Sequence, residues 1–69
     1  MKYLDIKLEL EEAMECDESK SKVSNLYDQF EDAYRHLSKK KRNCDERLDM
    51  YFKFVDYINR NKKWLWNQD

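Results

Sequence analysis

Neither glycine nor proline occurs anywhere in the 69 residues of the chain, and that absence narrows the choice of folds before any pattern is read. Tight hairpin turns and sharp loops draw on glycine for positive φ and on proline for a preset φ. Short strands joined by such turns would lack their connectors, so an all-α fold is expected. At this length the chain is one small domain, 1–69, close to the lower limit at which a single core holds a fold together unaided.

Three helical stretches emerge from the spacing of apolar residues. In residues 3–16, Tyr3, Ile6, Leu10, Ala13 and Met14 recur at three and four, the period that gathers side chains on one helix face. Leu4, Ile6, Leu8 and Leu10 also alternate as a half-buried strand would. Helix is preferred because valine and threonine are absent while glutamate, leucine and lysine abound; a strand paired with a partner chain is the alternative. The acids of this segment crowd its C-terminal end against the helix dipole, so that end is expected to fray.

Asp17, Ser19, Ser21 and Ser24 mark a break rich in N-capping residues. A second helix is expected over 23–41, with Val23, Leu26, Phe30, Ala33 and Leu37 on its inner face. Asn43, followed three positions later by Glu46, reads as a capping-box-like restart. A third helix is then expected over 44–66. The two long helices would form an antiparallel hairpin with the N-terminal helix laid on it or exchanged with a second copy. The rival is a long continuous coiled-coil helix, because Val23, Phe30, Leu37, Cys44, Tyr51, Ile58 and Leu65 repeat every seven residues through the supposed turn.

The third helix has more apolar side chains than one stripe can bury. Leu48, Tyr51, Val55, Ile58 and Leu65 share a face that the hairpin partner could satisfy, whereas Met50, Phe54 and Tyr57 share an adjacent face and Phe52 lies on another.

Charge is balanced overall, with a formal net charge of -1, so no global field draws the chain to nucleic acid or to a membrane surface. Within it, residues 1–18 hold two lysines against seven acids, and residues 35–47 hold six cations against Asp45 and Glu46. Those two ends could attract one another within a chain or between copies. No apolar run is long enough to span a membrane. Met1-Lys2-Tyr3-Leu4-Asp5 meets acid too early for a signal peptide, so a cytoplasmic chain with Cys16 and Cys44 as thiols is expected.

Catalytic signatures are absent: there is no glycine-rich phosphate loop, nucleophile elbow or His-Glu-x-x-His helix. The lone His36 stands at a basic helix end, and neither cofactor nor metal is implied. The reading preferred is a non-enzymatic protein-protein interaction module, a small regulator or inhibitor, or a co-chaperone-like subunit, with a protein partner or a second copy, a dimer above all. Met50, Phe52, Phe54, Tyr57, Trp64 and Trp66 are its candidate contacts, since buried aromatic anchors dominate such interfaces. The alternative is a nucleic-acid-binding module in which Lys39, Lys40, Lys41 and Arg42 hold phosphates.

Overall fold

The computed structural model describes residues 2–61, which form three helices: α1 (Tyr3–Glu15), α2 (Lys20–Arg35) and α3 (Cys44–Arg60). The fold is all-α, as the missing turn residues require.

The chain leaves α1 through a tight turn that in most proteins would hold a glycine. Asp17 sits in the left-handed region at φ 51°, its N–H donates to Met14 O at 3.2 Å, and the Glu18 N–H donates to Ala13 O at 3.0 Å. This pair of bonds is a Schellman closure of the helix end, and aspartate is among the few residues with a side chain that tolerate its geometry. The end does not depend on α1 alone. Arg60 of α3 donates to Met14 O at 2.9 Å and to the Asp17 carboxylate at 3.1 Å, placing a cation at the negative pole of α1. The fraying expected from the crowded acids is thereby countered from another helix.

Helix α2 begins at Lys20, three residues earlier than the apolar spacing suggested, because Ser19 accepts from the Lys22 N–H and supplies the cap. It stops at Arg35, well short of residue 41. Past that point the carbonyls at its end are taken by side chains: His36 Nδ1 lies 2.7 Å from Asp32 O, and Arg42 donates to Leu37 O at 3.0 Å and to Arg35 O at 2.9 Å. Lys39, Lys40 and Lys41 bring no apolar side chain that would anchor further turns to the core, so residues 36–43 form the connection and the continuous helix does not occur. Asn43 then caps α3, its Oδ1 accepting from the N–H groups of Asp45 and Glu46. The reciprocal half of a capping box is replaced by a contact between helices, since the Glu46 carboxylate accepts from the Tyr3 hydroxyl and the Lys7 ammonium, each at 3.3 Å.

Cross-helix contacts fix the arrangement as up-down-up. Tyr3 rests near Phe30 and Tyr34 at the far end of α2, so α1 and α2 are antiparallel. Tyr3 also meets Glu46, Glu11 meets Lys53 and Asp17 meets Arg60, so α1 and α3 are parallel. The expected hairpin with an added N-terminal helix has a different centre of gravity. α1 packs most extensively on α2 and also on α3, while α2 and α3 approach each other less closely. The core draws Ile6, Leu10, Ala13 and Met14 from α1, Val23, Leu26, Phe30 and Tyr34 from α2, and only Met50 and Tyr57 from α3. Large rings bridge the wider α2–α3 gap: Tyr27 stacks on Phe54 with centroids 4.5 Å apart, and the Arg47 guanidinium lies 5.5 Å over Tyr34.

Among the described residues no ion pair joins an acid of residues 1–18 to a cation of residues 35–47. Glu11 of α1 meets Lys53 and Asp17, just past the helix end, meets Arg60 instead, while Lys7 of α1 takes Glu46. Proximity along the bundle, set by apolar packing, decides which charges meet.

Candidate functional site

Helix α3 has two apolar stripes with the same period, and the fold buries the one that the spacing had left over. Met50 is 0% and Tyr57 1% exposed, both in the core, and Phe54 is half-buried against it. The Tyr57 hydroxyl donates to the Glu18 carbonyl, which ties α3 to the α1–α2 connection. Burial first, then the charge of Asp17, pushes that hydroxyl's pKa up. These three residues, expected as partner contacts, are therefore interior or rim residues.

Leu48, Tyr51 and Val55 of the stripe that was expected to face α2 face outward instead, joined by Phe52, while Ile58 of that stripe packs against the core. Leu48 is 54%, Tyr51 46%, Phe52 65% and Val55 38% exposed, and positions 48, 51, 52 and 55 follow i, i+3, i+4, i+7 along one face. The Tyr51 and Phe52 rings stack with centroids 5.8 Å apart. Phe52 is the one expected contact that the described fold leaves fully presented; Trp64 and Trp66, like the part of the expected third helix beyond Asn61, lie outside the described residues. Sequence reasoning missed Leu48, Tyr51 and Val55. Neither period nor side-chain size separates the two stripes, since each has helical spacing and each carries one tyrosine and one phenylalanine.

One edge of this outward face is acidic. Asp45, Asp49, Phe52 and Asp56 follow one another at helical spacing, with Asp49 and Asp56 well exposed. Behind them, Lys53 is shared between Asp49 at 3.1 Å and Glu11 at 3.4 Å. Arg60 is likewise shared between Asp56 and Asp17. The hydrogen bond that Lys53 donates to Asp49, with the charge of Glu11 added, holds the Lys53 ammonium above its ordinary pKa. Hydrogen bonds from Asn61 and then Arg60 hold the Asp17 carboxyl below the usual carboxylate range. Four carboxylates (Glu11, Asp17, Asp49, Asp56) thus meet two cations (Lys53, Arg60) along this edge, a balance of -2, while Asp45 at its start lies beside Lys40, Lys41 and Arg42 of the basic turn. The other edge, formed by Arg47, Phe54 and Ile58, turns towards α2, where Arg47 pairs with Glu31 at 2.9 Å.

The four cations of the basic turn are not equivalent. Arg42 is committed to the carbonyls that close α2, while Lys39, Lys40 and Lys41 are exposed beside it. A basic turn that completes a helix end accounts for Arg42 without a phosphate. An open groove lined by Tyr3, Ile6, Asp32, Ala33, His36 and Leu37 lies between α1 and the end of α2. Its histidine is exposed, with Nδ1 2.7 Å from the Asp32 carbonyl oxygen and 3.9 Å from the Asp32 carboxylate. Among the described residues no helix is long and apolar enough to cross a membrane.

The chain matches no known family, no curated protein and no solved structure, so the reading of its surface rests on its own side chains.

Proposed function

We propose that the chain is a non-enzymatic interaction domain that docks the outward face of α3 on a protein partner or a second copy, acting as a small regulator or inhibitor or as a co-chaperone-like subunit. One observation carries this reading: among the described residues Leu48, Tyr51, Phe52 and Val55 stay exposed at helical spacing, outside the core cluster. A contiguous apolar stripe on a charged surface marks an interaction site more often than a scatter of single apolar residues does. Helix-on-helix recognition suits it, because anchors at i, i+3, i+4 and i+7 match the face of a second helix. A cytoplasmic setting fits two exposed cysteines that are free in the fold.

The test is affinity capture from the source cell with wild-type chain and with the Leu48→Asp/Phe52→Asp variant. Circular dichroism should show both equally helical, since neither position supports the core. The wild type is expected to retain a partner that the variant loses. Retention of the same partner by both would remove this face from consideration.

A further inference from the structure

We infer that the face built by Leu48, Tyr51, Phe52 and Val55 takes a cationic amphipathic helix from a different protein, with apolar residues on the stripe and lysines or arginines along Asp49 and Asp56. The inference rests on the interaction-domain reading and adds the chemistry of the partner. The contact row from Leu48 to Val55 spans about 10 Å of helix, so two to three turns of partner helix cover it. The acidic edge sets the charge of that helix: Asp49 and Asp56 are exposed and share their cations with Glu11 and Asp17, which leaves acceptor capacity for incoming donors.

The same edge disfavours a second copy. Antiparallel face-to-face pairing about a two-fold axis places the Asp49, Asp56 row of one copy along the same row of the other, and like charges so placed repel. Parallel pairing sets that row against Arg47, Phe54 and Ile58, where the cation is already on Glu31. A basic helix meets neither obstacle.

The experiment uses the full chain, isotopically labelled, titrated with a short amphipathic peptide of leucine and lysine and, separately, with its twin carrying glutamate for lysine. Amide shifts centred on residues 48–55 are expected with the basic peptide only. Binding should weaken as salt is raised, weaken roughly three- to tenfold in the Asp49→Asn/Asp56→Asn variant, and vanish in Phe52→Asp. Equal binding of the two peptides overturns the charge assignment while leaving the face as a docking surface. Binding of neither, or shifts centred elsewhere, overturns the inference, and the lysate capture separately decides the interaction-domain reading. Self-association that is lost in Phe52→Asp, found by sedimentation without peptide, overturns it in favour of a second copy.

Discussion

At the scale of single residues, Asp17 takes over the position that the missing glycine would hold. Its backbone adopts a left-handed turn and its carboxylate accepts from both Arg60 and Asn61. Asp17→Ala removes both tolerance and partners and should lower the thermal midpoint more than Asp17→Asn, which keeps the backbone preference. Because the Asp17 carboxyl is held below its ordinary value, its contribution is present above the unfolded carboxylate range and fades as pH falls through the folded value; Asp17→Asn should flatten that acid limb in urea titrations. Tyr3 works in the opposite direction. Burial, then the neighbouring Glu46 charge, pushes its hydroxyl from 10.0 up to about 12. Both states keep the proton below the unfolded value, so stability is full there; the unfolded chain loses it first, so stability declines between those two values. Urea midpoints at about pH 9 and about pH 11 should differ less in Tyr3→Phe than in the wild type. A residual alkaline loss should remain, because Tyr27 and Tyr57 are raised as well.

The helices show how much of an element its ends decide. Asn43 caps α3 where the sequence placed it, and Asn43→Ala should cost about 1 kcal/mol, read from urea unfolding, while Asn43→Asp should cost little. Which stripe of α3 is structural can be read the same way. Phe30→Ala should cost about 3 to 5 kcal/mol and Met50→Ala about 2 to 5, since each empties a core site. Leu48→Ala and Phe52→Ala should stay within about 0.5 kcal/mol of wild type. A large loss at Leu48 and none at Met50 would invert the packing described above.

For the whole molecule, α1 is the piece without which the others do not assemble. It supplies Ile6, Leu10, Ala13 and Met14 to the core and touches both partners more closely than they touch each other. A chain lacking residues 1–17 should therefore lose cooperative thermal unfolding and most of its helical circular dichroism, because isolated helices of this length are marginal in water. An α2–α3 pair that melted cooperatively alone would show that the rings of Tyr27 and Phe54 suffice to hold it.

What the sequence determined by itself is local: helix in place of strand, the break near Asp17, the restart at Asn43, the inner face of the first helix, and Val23, Leu26 and Phe30 on that of the second. Each follows from contacts within a few residues, where period, caps and missing turn formers act directly. The tertiary structure decided which of two equally periodic stripes of α3 turns inward, that α2 ends at Arg35, and that Glu11 and Asp17 meet Lys53 and Arg60. Those choices depend on the width of the gap between helices and on side chains far apart in the chain, such as Arg60 closing the end of α1 and Arg42 closing the end of α2 after a turn. Period places a side chain on a helix face, but only the packed neighbours determine whether that face is covered or offered to a partner.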